Sequence, residues 1–169
     1  LIAYFTVGWR IVRTGQEATA RLGITRPTLT TVAAGLGFTV LAFVVAIAAN
    51  VLAFYVQPDL AETLSGLTDE LTVNFQNPIG ALVLGIAAGA GEEALFRGAL
   101  QPRYGIVLVS IVFALLHAPQ YGLNLSVLGL FGVSVLLGIV RNRYGTTAAM
   151  ITHATYNAIG VLMATYLGG

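Results

Sequence analysis

The sequence contains no cysteine and no lysine. Without cysteine there is no disulfide, no thiolate metal site and no cysteine nucleophile. Charge of either sign is scarce. Eight arginines and seven acids make up 9% of the 169 residues, where a soluble domain carries about 25%. The net charge of +1 gives no footprint for nucleic acid. Apolar residues fill the chain instead: 57% are hydrophobic and mean hydropathy is +0.85. That composition excludes a water-soluble globular domain. It also excludes disorder, which needs a shortage of apolar residues rather than an excess. The expected class is an integral, multi-pass membrane protein, all-α, in which every charge inside a span needs a reason to be there. No signal-peptide pattern and no internal repeat is visible, and the chain opens at Leu1 rather than Met, as expected of the ordered part of something longer.

Uncharged intervals locate the helices. Thr31 to Val56 is apolar over about 26 residues, enough to cross about 30 Å of hydrocarbon with some tilt. Asn77 to Leu100 is apolar as far as Gly91 and then abruptly charged. Tyr104 to Val140 carries no charge and suits two helices, broken near Pro119-Gln-Tyr-Gly122. Thr146 to Leu167 is the last, and Leu1 to Val12 reads as a partial span. The expectation is a transmembrane helix bundle of about five full spans plus one partial N-terminal span. Residues 1–30 hold the partial span and a cytoplasmic segment, and residues 31–169 form the membrane domain with its core at about 77–167. Within Arg13 to Leu29, either an interfacial helix or a solvated loop fits. Ala81, Gly85 and Gly89 recur every four residues, a small-residue stripe that lets helix backbones approach.

Threading the chain through alternating sides puts Arg10, Arg13, Arg21, Arg26, Arg103, Arg141 and Arg143 together, and the positive-inside rule makes that side cytoplasmic. Asp59, Glu62, Asp69 and Glu70 fall in the opposite, external loop. Three charges remain inside a span: Glu92, Glu93 and Arg97. Glu93 and Arg97 share a helix face at i,i+4 and can pair, while Glu92 is turned about 100° away. An anionic carboxylate left without a cation in an apolar cavity is destabilised, which poises a general base near neutral pH. Both histidines are intramembrane, and His153 shares a face with Asn157. At 1.5 Å per residue, Glu92 lies about 16 Å from Arg103, His117 about 21 Å from it, and His153 and Asn157 about 15 and 21 Å from Arg143. Polar groups on three separate helices thus reach similar depth, which points to one buried polar site in a water-filled cavity.

Glu92-Glu93-Ala-Leu-Phe-Arg97, Phe113-Ala-Leu-Leu-His117 and His153-Ala-Thr-Tyr-Asn157 resemble the motifs E-E-x-x-x-R, F-x-x-x-H and H-x-x-x-N of the CPBP family. These are the CAAX-protease and bacteriocin-processing intramembrane proteases, a group that includes the type II CAAX prenyl endopeptidases. Each motif alone is weak; all three, in order, in a membrane chain, are specific. The resemblance implies an endopeptidase in which Glu92 with His117 activates water, His153 and Asn157 stabilise the oxyanion, and Glu93, Arg97 and Phe113 support the site. It implies a membrane protein or lipidated peptide as substrate, the bilayer as surroundings and a possible partner membrane subunit. The elementary chemistry agrees, since peptide hydrolysis needs a base for water and donors at the developing oxyanion.

Metal stays open at this stage. The family is often described as metalloproteases, and Glu92, His117 and His153 could supply a three-ligand zinc site. The H-E-x-x-H spacing that fixes zinc on one helix is absent, and the preferred route needs no cofactor. Two rival functions are a catalytically idle scaffold or partner subunit on the same fold, and a small transporter or proton pathway. The site cavity is expected to be reached from the cytoplasmic side.

Overall fold

A computed structural model describes residues 1–121 and 125–167. Among them every regular element is a helix, with one isolated bridge between Trp9 and Arg13. In chain order the helices are α1 (Ile2–Thr6), α2 (Gly15–Arg21), α3 (Leu29–Val56), α4 (Pro58–Thr72), α5 (Pro78–Glu93), α6 (Gln101–Tyr121), α7 (Leu125–Tyr144) and α8 (Thr146–Leu167). A π-helical stretch, Ala94–Leu100, joins α5 to α6 without a break. The expected break at Pro119-Gln-Tyr-Gly122 falls at the end of α6, and Gly122 lies outside the described residues.

Among the described residues, three helical stretches are long and apolar enough to cross a membrane: Leu29–Val56, Pro78–Ala118 and Leu125–Tyr144. The count of five full spans expected from the sequence is therefore not reproduced. The second stretch is 41 residues long, about 60 Å if straight, and Gly105 interrupts it with φ 75° and ψ 173°, a conformation open essentially to glycine alone. Helix α8 falls short on composition, because Thr146, Thr147, Thr152, His153, Thr155 and Asn157 dilute its apolar content. The outward faces agree with a lipid surrounding: Val40 on α3, Ile79 on α5, and Val107 and Leu116 on α6 are each more than 60% exposed.

The partial N-terminal span is corrected. Helix α1 has five residues, about 7.5 Å, and the chain then folds back through positive φ at Gly8 and Arg10. The Arg13 guanidinium secures that fold by donating to the Val7 carbonyl. Helix α2 settles the choice left for residues 13–29. Thr14 caps it, and the Thr14 N–H donates to Glu17 at 2.7 Å in a reciprocal capping box. Its inner residues Ala18 and Leu22 are wholly buried against the π stretch and the start of α8. The Thr146 hydroxyl donates to the Leu22 carbonyl at 2.7 Å, and the Thr25 N–H donates to the Thr147 hydroxyl at 2.9 Å. The segment is thus a plug on one end of the bundle.

The acidic segment expected as a loop is helix α4 instead. Pro58 at its first position needs no N–H partner, and Asp59 in its first turn faces the positive end of the dipole.

Helix α8 is the hub, packed against α3, α5 and α7, and α7 packs in turn against α3 and α6. The α5–α8 contact is the closest, and the small-residue stripe makes it so. Ala81, Gly85 and Gly89 are buried. A Cβ on Gly85 would collide with the Ala154 carbonyl, and one on Gly89 would stand 2.7 Å from the Ala154 nitrogen and 2.8 Å from the Met150 carbonyl. Between α3 and α8, Thr39 donates to the Thr152 carbonyl at 3.3 Å and Thr152 donates to the Gly35 carbonyl at 3.1 Å.

Candidate active site

The stripe that seats α5 on α8 continues at the same spacing into chemistry: 81, 85 and 89 are followed by Glu93, Arg97 and Gln101. Because Gly89 lets the backbones touch, Glu93 one turn later meets His153, next to Ala154. Glu93 Oε1 lies 2.9 Å from His153 Nδ1, and Glu93 Oε2 lies 3.1 Å from Arg97 Nε. Glu93 and Arg97 are wholly buried. The approach of Arg97 Nε to Oε2 is that of an ion pair without hydrogen-bond alignment, since neither atom counts a hydrogen-bond partner. Arg97 Nη2 donates to the Ser134 carbonyl and hydroxyl, both at 3.1 Å. One turn on, Gln101 donates to the Gly138 carbonyl at 3.0 Å and to Asn142 Oδ1 at 2.9 Å. Positions 97 and 101 on one helix thus match 134, 138 and 142 on α7, rung by rung. Sequence reasoning missed Ser134, Gln101 and Asn142; their common four-residue spacing was the available signal.

Glu92 differs from its neighbour in setting. It is half-buried, it faces a cavity of about 600 Å³, and its Oε2 is shielded from solvent with no hydrogen-bond partner. His117, His153 and Asn157 line the same cavity. The structure therefore gathers all four residues picked from the sequence around one space, and sets Glu93 and Arg97 behind it.

Phe113 lies between the two histidines. Its ring centroid is 4.5 Å from His117 and 6.2 Å from His153. Arg97 Cζ stands 5.2 Å over the same ring, within cation–π range. Phe96 closes the far side edge-on at 5.1 Å. The large ring thus fixes the spacing of both imidazoles. His117 Nδ1 lies 2.8 Å from the Phe113 carbonyl. A carbonyl only accepts, so Nδ1 is the donor and Nε2 is left for whatever occupies the cavity. At His153 the ion-paired Glu93 carboxylate likewise accepts from Nδ1 and again leaves Nε2.

The π-helical stretch begins at Ala94, directly after the two glutamates. Such stretches are rare and recur at functional sites. As for metal, no three His, Asp or Glu side chains among the described residues are grouped closely enough to hold an ion. The zinc set Glu92, His117 and His153 does not meet that test as the side chains stand, and no step is built on it.

Fold and site define the class: an integral membrane protein, all-helical, with a carboxylate–histidine centre buried inside the bundle. Residues 74–159, half of the chain, match the type II CAAX prenyl endopeptidase Rce1-like family, and the chain belongs to that family. Neither a curated protein nor a solved structure matches the chain.

Proposed function

We propose that the chain is an intramembrane endopeptidase that hydrolyses a peptide bond in a membrane-associated protein or peptide, with Glu92 and His117 activating water and His153 and Asn157 receiving the oxyanion. The observation that carries this reading is the contrast within the Glu92-Glu93 pair. Glu93 is sealed between Arg97 and His153, while Glu92, its Oε2 without a hydrogen-bond partner, lies at a cavity shared with His117, His153 and Asn157.

In this reading Glu92 takes a proton from water as the oxygen attacks the scissile carbonyl carbon. His117, held by the Phe113 carbonyl, orients that water through Nε2. The carbonyl oxygen becomes the oxyanion, and the Asn157 amide and His153 Nε2 donate to it. As a donor there His153 carries a proton on each nitrogen, and the Glu93 carboxylate faces Nδ1. Collapse of the intermediate breaks the C–N bond, and the proton held by Glu92 passes to the leaving amine. Glu93 and Arg97 position His153 and the helix and touch no substrate.

No cofactor is used. Zinc through Glu92, His117 and His153 is the alternative. A CAAX-type, lipid-bearing chain end is the substrate type that the family suggests. Comparing membrane proteomes of cells carrying the wild type and Glu92→Ala tests the reading. A substrate that accumulates uncut only with the variant is expected, and identical proteomes overturn it. Full cleavage of that substrate in strong chelator is expected on the metal-free route; loss of cleavage restored by zinc overturns that route.

A further inference from the structure

Two arginines are brought together where the N-terminal plug meets the bundle. Arg21 is in the last turn of α2 and Arg141 is in the last turn of α7. Those two helices end against each other. A Cβ on Gly145 would stand 3.9 Å from the Gly23 carbonyl, and the Thr146 hydroxyl holds the Leu22 carbonyl at 2.7 Å. The Arg21 and Arg141 side chains are both half-buried at this joint and close enough to repel one another.

No carboxylate relieves that repulsion. Glu17 stands one turn before Arg21, the spacing at which a helix pairs opposite charges. Its carboxylate turns away instead, accepting from the Thr14 N–H at 2.7 Å and the Thr14 hydroxyl at 2.8 Å. Among the described residues the ion pairs join Glu93 to Arg97 and to His153, and none includes Arg21 or Arg141. The helix C-termini offset part of the positive charge but supply no anion. Arg141 is also aimed. Its Nη1 donates to Asn142 Oδ1 at 3.1 Å, and the same oxygen accepts from Gln101 at 2.9 Å. One guanidinium nitrogen is thus anchored on the polar ladder, which leaves the other donors of the fork for an anion. Two guanidinium forks suit the tetrahedral oxygens of a phosphate.

The surroundings say where the phosphate comes from. On the plug Leu1, Ile2, Ile11 and Val12 are each at least 70% exposed. Trp9, in the same fold-back, carries the Arg10 guanidinium over its ring at 4.9 Å. Bare aliphatic groups beside tryptophan and arginine are what a segment at the headgroup level of a bilayer presents. Arg143, in the same last turn as Arg141, adds positive charge that favours a headgroup of net negative charge over a zwitterionic one.

We propose that Arg21 and Arg141 form a site for the phosphate of an anionic membrane lipid, which bridges the N-terminal plug to the α7–α8 corner. Neither residue lines the carboxylate–histidine cavity, so the site stands apart from the chemistry proposed there. The bound phosphate replaces a repulsion across the joint with two charge-assisted contacts, and the plug is thereby held down by the membrane itself.

Thermal unfolding of the full chain in a nonionic detergent tests this. Phosphatidylglycerol at ten times its half-saturating concentration should raise the midpoint by about 3–6 °C, while phosphatidylcholine and inorganic phosphate should leave it unchanged. No shift with phosphatidylglycerol overturns the site. An equal shift with phosphatidylcholine overturns its charge selectivity, and an equal shift with inorganic phosphate overturns the assignment to a lipid. Arg21→Gln and Arg141→Gln should each lose the shift, yet without lipid each should unfold at or slightly above the wild-type midpoint, because the repulsion is gone. Arg143→Gln is the control: it is exposed on the same turn as Arg141 and should keep most of the shift. If Arg143→Gln loses as much as Arg21→Gln, the lipid answers to diffuse surface charge and the paired site is refuted.

Discussion

The two ends of the bundle solve opposite problems with similar residues. At the arginine end, Glu93, Arg97, Gln101 and Ser134 are buried, and each meets a partner on a facing helix. At the α4 end, Glu92, His117 and Asn157 face open space, and one Glu92 oxygen has no partner at all. Adjacent glutamates thus belong to different regimes. A buried group held against a facing helix resists reorganisation, whereas a group open to a cavity is free to bind and react. The lesson is that low charge content does not make each buried charge catalytic. The sealed ladder holds the frame on which the few open groups are aimed.

The largest expected effect comes from the open side. Glu92→Gln keeps the size of the side chain and removes the base, so turnover should fall about 10²- to 10⁴-fold while the thermal unfolding midpoint in detergent stays near that of the wild type. A matching loss of stability would erase the distinction between the two glutamates. On the sealed side the pattern should invert. Arg97→Met leaves the Glu93 charge buried without its cation and should cost about 3–5 kcal/mol of stability. Adding Glu93→Gln removes the orphaned charge while keeping an acceptor for His153, and should recover much of that loss. Equal stability of Arg97→Met and the double variant would show that the ion pair does not hold the frame.

A smaller effect tests the seam that joins the two regimes. Gly89→Val places a branched side chain where a Cβ already meets α8 at 2.7 Å, and overpacking of this kind costs about 1–3 kcal/mol. Activity should fall further than stability alone explains, because Glu93 and His153 are separated together with the backbones. Gly91, where an added Cβ meets nothing within 4 Å, is the control, and Gly91→Ala should be neutral or slightly stabilising in an unfolding assay. Equal destabilisation by the two variants would refute the role given to the stripe.

Much of the site was legible because helices write their faces at four-residue spacing. Glu93 and Arg97, His153 and Asn157, and Ala81, Gly85 and Gly89 all declare themselves that way, and uncharged length placed α3 and α7. What stayed hidden depended on partners distant in sequence. Nothing in Gln101 or Asn142 alone tells that they meet across 41 residues, and the contact between Glu93 and His153 required knowing that α5 lies on α8. The N-terminal plug was misread as a span because Leu1 to Val12 is apolar, while its reversal depends on a positive φ at Arg10, which no apolar pattern records.

The smallest effect concerns that plug. Glu17 is fully exposed, and its carboxyl is held below the ordinary glutamate range, first by the Thr14 backbone N–H, then by the Thr14 hydroxyl, with Arg13 adding to this. A carboxyl lowered in the folded state contributes stability that is present above the unfolded value of about 4.3 and is lost as pH falls through the folded value. Glu17→Gln removes that dependence. Protection of the α2 amides in hydrogen exchange, compared between neutral pH and pH below the ordinary glutamate range, should therefore drop in the wild type and stay flat in the variant. Because Leu22 and Thr146 tie α2 to α8 at the sealed end, turnover at the cavity should be the same in the wild type and the variant. A change there with Glu17→Gln would mean that the two ends are coupled rather than independent.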